Sequence, residues 1–301
     1  MSDLQLAALV QAAADRMDQA GLFFGHGTDN ALDEACWLAS HVLGLPPDFG
    51  PEAFSRGVPE AERRRFEALL QQRIQTRQPL AYLIGEAWFA GLKFRVNSAV
   101  LVPRSPLAEL IAEGFEPWLR SAALRRAVDV GTGSGCIAIA LAHHYPDVQV
   151  DAVDLSEGAL TLAAENVRAH GLEDRVRLFH SDLLAGLPDG TYELILANPP
   201  YVPESSMAAL PREFTWEPRL GLVAGEDGLA LVRRLIVQAA QRLGPQGVLI
   251  CEVGEAAAAL DAWLADEPLT WLEFAHGGEG VFVLDREACR RIARSGELVK
   301  D

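Results

Sequence analysis

The chain has few cysteines and no long apolar run. Its 301 residues include four cysteines, none of which form the Cys-x-x-Cys pair of zinc and redox sites: Cys36, Cys136, Cys251 and Cys289. No apolar run reaches about 18 residues, and the N-terminus lacks a basic region followed by a hydrophobic core. We therefore expect reduced thiols, no membrane-spanning helix, no secretory leader and a cytoplasmic protein.

Basic residues are scarce relative to acidic ones. The chain has 26 Lys and Arg against 42 Asp and Glu, a formal net charge of −16. Residues 103–301 carry 17 basic and 30 acidic side chains, whereas residues 1–102 carry 9 and 12. An acidic field repels free nucleic acid and attracts a basic protein, although solubility alone explains the charge equally well.

Signatures of metal and triphosphate sites are also missing. The seven histidines include the pair His143-His144, with no set of carboxylates or cysteines at metal-ligand spacing around it. No glycine-rich stretch ends in Gly-Lys followed by Ser or Thr, which a triphosphate loop requires. We therefore predict no metal site and no triphosphate loop.

A glycine-rich stretch follows the apolar run 127–130. Gly131, Thr132, Gly133, Ser134 and Gly135 stand between this predicted strand and a predicted helix. Alternate glycines allow a tight turn and let a ligand approach backbone N–H groups at a helix N-terminus. The stretch predicts either a dinucleotide or an S-adenosylmethionine site, and the Gly-x-Gly-x-Gly spacing favours the second.

Carboxylates accompany three predicted strands. The run 148–153 ends in Asp154, and the run 176–180 is followed by Ser181 and Asp182. The carboxyl ends of parallel strands lie at one edge of a sheet, so both carboxylates should face the same cleft. Asp154 could then bind ribose hydroxyls, and Asp182 could accept from an adenine amino group. Asp129, inside the first strand, either hydrogen-bonds loop backbone or orients the cofactor's amino group.

The tetrapeptide Asn198-Pro199-Pro200-Tyr201 follows the apolar run 192–197, where a buried strand would deliver it to the same edge. Prolines lack a backbone N–H and stiffen the chain, so the tetrapeptide is a strip of acceptors. The Asn198 side-chain oxygen and the Pro199 carbonyl can each accept one N–H of a substrate –NH₂, with the Tyr201 ring over its face. Taken alone, the tetrapeptide is equally consistent with a simple loop opener.

Together these motifs resemble the class I S-adenosylmethionine-dependent methyltransferases, and the tetrapeptide resembles those that modify amide or exocyclic amine nitrogens. Residues 78–85 and 89–94 look like the linker hairpin of the HemK-type protein glutamine methyltransferases. Pro103-Arg104-Ser105-Pro106 and residues 24–30 resemble the branch that acts on large ribosomal subunit protein three. The release-factor branch usually has Pro-Arg-Pro-Glu-Thr-Glu at the former position.

The resemblance implies roles for individual residues. Asn198, Pro199 and Tyr201 would be catalytic, and Pro200 and Arg104 would join them in binding the substrate, although Arg104 is equally suited to pin the linker. The cofactor that the resemblance implies is S-adenosylmethionine, and its expected contacts, in addition to Asn198, are Asp129, Gly131, Thr132, Gly133, Gly135, Asp154, Leu155, Asp182 and Leu183.

The order of apolar patterns predicts the architecture. Helical patterns occupy the first 77 residues, including a helix over 33–43 with Thr28 or Asp29 as its N-cap and Gly44 as its end. Five predicted strands, near 127–130, 148–153, 176–180, 193–197 and 247–252, then alternate with predicted helices near 135–145, 156–170 and 226–243. The resemblance completes this α/β pattern as a Rossmann-like, seven-stranded mixed sheet with helices on both faces. We expect a helical substrate-recognition domain (1–80), a β-hairpin linker (81–102) and a methyltransferase domain (103–301).

The resemblance predicts methylation of a glutamine side-chain amide in large ribosomal subunit protein three, a basic protein. Class 1 release factors are the alternative substrate, and a nucleic acid exocyclic amine is a more distant one, against which the acidic catalytic part argues. A third class of function, beside a protein methyltransferase and a nucleic acid methyltransferase, is a non-catalytic module that binds S-adenosylmethionine. Transient contact with ribosome assembly intermediates is a further expectation, in which Arg63-Arg64-Arg65 would touch RNA or simply form an exposed helix face.

Overall fold

The computed structural model describes residues 5–295, and these divide into two units. One unit comprises the described residues of Met1–Ala87 together with Pro211–Trp216, and the other comprises those of Trp88–Leu210 and Glu217–Asp301. The sequence-based boundaries at 80 and 102 stay a prediction. No helix within residues 5–295 is long and apolar enough to cross a membrane.

The first unit is helical. Its helices are α1 (Leu6–Gln19), α2 (Ala31–Leu43), α3 (Glu60–Thr76) and the short α4 (Leu80–Ile84). The buried side chains of α1 recur at helical spacing, as expected for one apolar face: Leu6, Leu9, Val10, Ala13, Ala14 and Met17. The N-cap of α2 is Asn30, whose side chain accepts from the Asp33 N–H at 2.9 Å, and α2 ends at Gly44 in the left-handed conformation.

A buried ion cluster ties residues 211–216 to these helices. Arg73 of α3 is fully buried, and its Nε donates to Glu34 Oε1 at 2.7 Å. Its Nη1 lies 3.4 Å from Glu213 Oε1, which also accepts from the Phe23 N–H at 3.1 Å and from Arg77 at 3.2 Å. Burial raises the pKa of Glu34, and the charge of Arg73 opposes this shift. A segment of the long connection after residue 197 is therefore part of the helical unit.

A two-stranded hairpin follows α4. Its strands are β1 (Glu86–Phe89) and β2 (Leu92–Arg95), joined through Ala90 and Gly91. Both turn residues have positive φ, 49° and 74°, as the tight hairpin turns that match strand twist require. The predicted hairpin is confirmed.

The second unit is built on a seven-stranded sheet. Its strands are β3 (Arg126–Val130), β4 (Gln149–Asp154), β5 (Val176–His180), β6 (Tyr192–Ala197), β7 (Leu243–Glu252), β8 (Thr270–Trp271) and β9 (Val281–Asp285), in the order β5-β4-β3-β6-β7-β9-β8. The first five pair in parallel, and β9 is antiparallel to both β7 and β8. The predicted mixed sheet is confirmed. The strand order reverses between β3 and β6, and ligands of open α/β sheets bind at such a switch point.

Helices cover both faces of the sheet. They are α5 (Leu107–Glu113), α6 (Cys136–His144), α7 (Glu157–Ala169), α8 (Ala230–Arg242), α9 (Ala257–Trp263) and α10 (Arg286–Arg294). Ala127 and Leu194 pack with α5 and α6 in one core, whereas their chain neighbours Val128 and Ile195 pack with α8 and α10 in the other. The alternation follows from the two-residue period of a strand. The rigid sheet between these layers fixes the positions of the strand ends.

Candidate active site

The glycine-rich loop and the tetrapeptide meet at the switch point. Val130 of β3 pairs with Ala197 of β6, so Gly131 and Asn198 leave adjacent strand ends. A Cβ built on Gly131 would lie 3.6 Å from the Asn198 carbonyl oxygen and 4.0 Å from the Pro199 Cα. The two strongest motifs of the sequence are therefore next to each other in the fold.

The glycine loop is shaped by hydrogen bonds within the protein. The N–H groups of Gly131 and Thr132 both donate to the Val153 carbonyl at 2.9 Å, and the Gly133 N–H donates to Asp154 Oδ2 at 2.9 Å. The loop glycines at 131, 133 and 135 all have positive φ. Since these amides are already engaged, the loop offers a ligand mainly a surface without side chains.

Asp129 is a buried carboxyl beneath this loop. Its Oδ2 accepts from Thr132 Oγ1 at 2.6 Å and from the Ala138 N–H at 3.1 Å, while Oδ1 has no hydrogen-bond partner among the described residues. Burial raises the pKa of Asp129 to about 7, and the nearby charge of Asp154 adds to the effect. One oxygen thus binds a loop side chain and the backbone of α6, rather than the loop backbone expected from the sequence, and the other is uncommitted.

Asp154 ends β4, beside the loop. Its Oδ1 accepts from the Ser156 N–H at 2.8 Å, and its Oδ2 accepts from the Gly133 N–H. An ionised carboxylate has about four acceptor positions, so these two bonds leave room for hydroxyl donors. The next residue, Leu155, is 51% exposed, an apolar side chain available for a ring to cover.

Asp182 and Leu183 follow β5, the outermost of these strands. Asp182 Oδ2 accepts from Arg234 Nη2 at 2.6 Å, and the Leu184 N–H donates to Gln238 Oε1 at 2.7 Å. Leu183 itself has a φ of 51°, which is uncommon for a branched residue. Sequence reasoning missed Arg234 and Gln238, although their four-residue separation places them on one face of α8.

The four strand ends form a row. Neighbouring strands lie about 5 Å apart, so the ends of β5, β4, β3 and β6 span about 15 Å. The row carries Asp182, then Asp154, then the glycine loop, then Asn198. Its length and order suit a nucleoside with an extended amino-acid tail, and the tetrapeptide stands at the tail end.

Tyr201 is anchored in the protein. Its hydroxyl donates to Glu252 Oε1 at 3.3 Å, and Ser105 Oγ donates to the other carboxylate oxygen at 2.6 Å. A Cβ on Gly254 would come within 2.6 Å of the Tyr201 ring. Burial raises the pKa values of both Tyr201 and Glu252. Sequence reasoning placed Tyr201 against the substrate and missed this network, whose members are far apart in the chain.

Arg104 is paired with Glu217 within the second unit. Its Nη1 and Nη2 donate to Glu217 Oε1 and Oε2 at 2.5 and 2.7 Å, and the Val102 N–H also donates to Oε1 at 3.1 Å. The Glu217 side chain is fully buried and that of Arg104 is 27% exposed. Of the two roles considered for Arg104, pinning the linker is the one for which the structure supplies contacts.

Comparisons with known proteins identify the family. A model described as "Methyltransferase small domain" matches residues 111–214, and one described as "PrmC N-terminal domain" matches residues 8–85. A Xanthomonas campestris pv. campestris protein named "Ribosomal protein uL3 glutamine methyltransferase" is 50% identical, over 96% of this chain and 94% of its own length. The chain belongs to the ribosomal protein uL3 glutamine methyltransferase family. The resemblance found in the sequence is confirmed.

Other uL3 glutamine methyltransferases show the same relationship. Those of Xylella fastidiosa strain 9a5c and Neisseria gonorrhoeae are 48% and 46% identical, over 94% and 93% of this chain and 90% and 93% of their own lengths. The solved hMettl16 catalytic domain in complex with MAT2A 3'UTR hairpin 1 has a TM-score of 0.51. It is 19% identical, covers 81% of this chain and 88% of its own, and shows the fold alone.

The residues present fit S-adenosylmethionine, the methyl donor of this family. The uncommitted, buried Oδ1 of Asp129 suits an amino group, and Gly131, which has no side chain, lies against Asn198. The exposed Leu155 provides apolar surface beside Asp154. The protein is an S-adenosylmethionine-dependent methyltransferase. Among residues 5–295, no group of three or more His, Cys, Asp or Glu side chains is arranged to hold a metal ion.

Proposed function

We propose that the protein methylates the side-chain amide nitrogen of a glutamine in ribosomal protein uL3, the large ribosomal subunit protein three. The observation that carries the proposal is the position of Asn198 and Pro199 against Gly131, at the end of the row of strand ends. Relatives at 44–50% identity that bear this name support the choice of substrate.

The tetrapeptide presents acceptors to a planar –NH₂ group. We assign Asn198 Oδ1 and the Pro199 carbonyl to the two N–H groups of the glutamine amide, with Pro200 and Tyr201 completing this wall. Neither proline has an N–H to compete for these oxygens. An amide nitrogen is a weak nucleophile because its lone pair is delocalised into the carbonyl, so its orientation is critical. Holding reacting groups in register can supply roughly 7–11 kcal/mol of the barrier in well-oriented models.

S-adenosylmethionine held here would supply a methyl group on a cationic sulfur, and that sulfur would need no acid to leave because it becomes a neutral thioether. The protein's part is to place that methyl beside the oriented nitrogen. We assign the loop residues Gly131, Thr132, Gly133 and Gly135, with Asp129, to the methionine portion, and Asp154 with Leu155 to the ribose. Asp182 and Leu183 are assigned to the adenine. Asn198 borders both the cofactor and the substrate.

The remaining parts of the proposal concern the substrate as a protein. A net charge of −16 favours encounter with a basic partner such as a ribosomal protein. We assign substrate recognition to the helical segment 1–80, with the hairpin segment 81–102 as its linker to the methyltransferase domain, and we place the reaction in the cytoplasm. Contact with assembly intermediates through Arg63-Arg64-Arg65 has less support, because Arg63 and Arg64 pair with Glu60 on the same helix.

The test is peptide mass spectrometry after incubation of the protein and S-adenosylmethionine with purified uL3, a class 1 release factor or rRNA, in separate reactions. A single added methyl on a glutamine of uL3 is expected. If methyl is found only on the release factor, the release factor is the substrate instead of uL3, and the proposed glutamine methylation stands. Methyl found only on RNA would overturn the proposal in favour of an exocyclic amine.

A further inference from the structure

Glu252 lies one strand away from the tetrapeptide, at the same level of the sheet. It is the last residue of β7, and the preceding Cys251 pairs with Ala197, the residue before Asn198. The Glu252 residue is 6% exposed, and a carboxylate is costly to bury unless donors surround it. The donors it has are therefore informative.

Both donors belong to segments that form the candidate site. Tyr201, the last residue of the tetrapeptide, donates its hydroxyl to Oε1 at 3.3 Å. Ser105, in the Pro-Arg-Ser-Pro segment, donates to Oε2 at 2.6 Å, and its oxygen accepts from the Leu107 N–H at 3.2 Å. One buried carboxylate thus joins the tetrapeptide, the segment before α5 and the end of β7.

Two glycines leave room for Tyr201 in this position. A Cβ on Gly254 would lie 2.6 Å from the Tyr201 ring, and a Cβ on Gly228 would lie 2.2 Å from the Tyr201 carbonyl oxygen. Real contacts of a Cβ are essentially never that short. The backbone at Gly254 packs against the Tyr201 ring and that at Gly228 packs against the Tyr201 carbonyl. Tyr201 therefore has little room to move while its hydroxyl is bound to Glu252.

The prolines make this anchor important. Pro199 and Pro200 have no N–H, so two consecutive residues of the acceptor strip cannot be fixed by backbone donation. Beyond Tyr201, the Val202 N–H donates to the Leu222 carbonyl at 2.8 Å. The Tyr201 side chain is thus an attachment within two residues of Pro199.

We propose that Glu252 is a positioning residue. Through the Tyr201 hydroxyl it fixes the Asn198 side chain and the Pro199 carbonyl as a pair of acceptors. Through Ser105 it fixes the segment before α5 to the same carboxylate. The acceptor role of Asn198 and Pro199 rests on the proposed function. The anchoring of the tetrapeptide by Glu252 does not. Displacement of a reacting group by about 1 Å can cost about 100-fold in rate, so loss of the anchor should reduce turnover.

The variants are Tyr201→Phe, which removes only a hydroxyl, and Glu252→Gln, which keeps the volume but has one acceptor oxygen instead of two. The chain offers a matched control in Tyr192→Phe. Tyr192 begins β6, at the other end of the strand, and its buried hydroxyl donates to Asp151 Oδ2 at 2.7 Å. The control therefore removes a similar buried hydrogen bond far from the strand ends that carry the site.

Four quantities are measured for each variant: kcat, KM for uL3, Kd for S-adenosylmethionine and Tm. Tyr201→Phe and Glu252→Gln are expected to lower kcat about 10- to 100-fold, with KM and Kd within about threefold of wild type. The kcat of the double variant should be no more than about threefold below that of the slower single variant, since both substitutions break the same hydrogen bond between Tyr201 and Glu252. All three variants should lower Tm by a similar amount, and Tyr192→Phe alone should keep the wild-type kcat. The inference is overturned if all three variants lose Tm alike and keep kcat.

Hydrogen exchange gives a readout that needs no substrate. Exchange of the Val202 amide is expected to rise at least tenfold in Glu252→Gln and to stay at the wild-type rate in Tyr192→Phe. If the wild-type protein methylates no glutamine of uL3 yet this rise is seen, the proposed function fails and the anchoring by Glu252 stands. Equal exchange in wild type and Glu252→Gln would overturn the inference whatever the substrate.

Discussion

Gly131 and Asn198 are nearest neighbours across two adjacent strand ends: a Cβ added to Gly131 would stand 3.6 Å from the Asn198 carbonyl oxygen. The sequence separates the cofactor motif from the substrate motif by more than sixty residues, and the reversal of strand order between β3 and β6 brings them together. A methyl donor and a methyl acceptor must share such a boundary.

Gly131→Ala tests this boundary. The added methyl would enter the space between loop and tetrapeptide, and the backbone at a φ of 75° disfavours a side chain by roughly 1–2 kcal/mol. We expect the affinity for S-adenosylmethionine, measured by calorimetry, to fall at least tenfold. The matched control is Gly171→Ala, which has a φ of 65° and no atoms within 4 Å of the added Cβ. Equal effects of the two substitutions on affinity would show that only backbone strain is involved.

Asp154→Asn addresses the ribose assignment. Amide substitution keeps the size of the side chain and removes the charge and one acceptor, so Kd for S-adenosylmethionine should rise at least tenfold while kcat at saturating cofactor changes little. Glu193→Gln is the control, because Glu193 Oε2 also accepts two backbone N–H groups, from Arg125 and Arg126, at the start of β6. An unchanged Kd in Asp154→Asn would remove this residue from the cofactor site.

Asp129 should make stability depend on pH. Burial raises its pKa from 3.8 to about 7, so between these values the folded protein holds a proton that the unfolded chain releases. The free energy of unfolding therefore falls as the pH rises from about 4 to 7. Glu34 and Glu252 act in the same direction, so the informative quantity is the difference from Asp129→Asn. Urea unfolding at several pH values should show a smaller decline in the variant, and equal declines would refute the assignment.

The ion cluster of the helical unit should be important for stability. Glu213→Ala leaves buried Arg73 with one carboxylate partner fewer, and breaking a buried pair typically costs about 3–5 kcal/mol. Equilibrium urea unfolding should show a loss of this order. Glu60→Ala removes the exposed partner of Arg63 and Arg64 and is expected to leave stability unchanged. A Glu213→Ala variant as stable as wild type would mean that residues 211–216 are not held by this cluster.

The sequence predicted the sheet because its signals are local, and the motifs that we assign to the site are local as well. Glycine spacing, two consecutive prolines and acidic strand ends are each readable within a few residues, and the parallel order of strands follows from their alternation with helices. The N-cap of α2 was predicted wrongly at Thr28 or Asp29. Asn30, one residue later than Asp29, has the side chain that accepts from the Asp33 N–H.

Contacts between distant residues had no such signal. Ser105 and Glu252 are 147 residues apart, and Arg73 and Glu213 are 140 apart. Nothing near either residue in the chain indicates its partner, because burial of a carboxylate is decided by the packed elements around it. The helix predicted from 226 begins only at Ala230, because Gly228 has a φ of 78° and lies against the Tyr201 carbonyl.

The most direct measurement of the central claim compares Asn198→Ala with wild type for two quantities: Kd for S-adenosylmethionine and kcat for methylation of uL3. If Asn198 holds the amide nitrogen, the variant keeps Kd within about threefold and loses at least about 100-fold in kcat. Unchanged turnover, or losses of equal size in Kd and kcat, would contradict the assignment of the tetrapeptide as the substrate's acceptor pair.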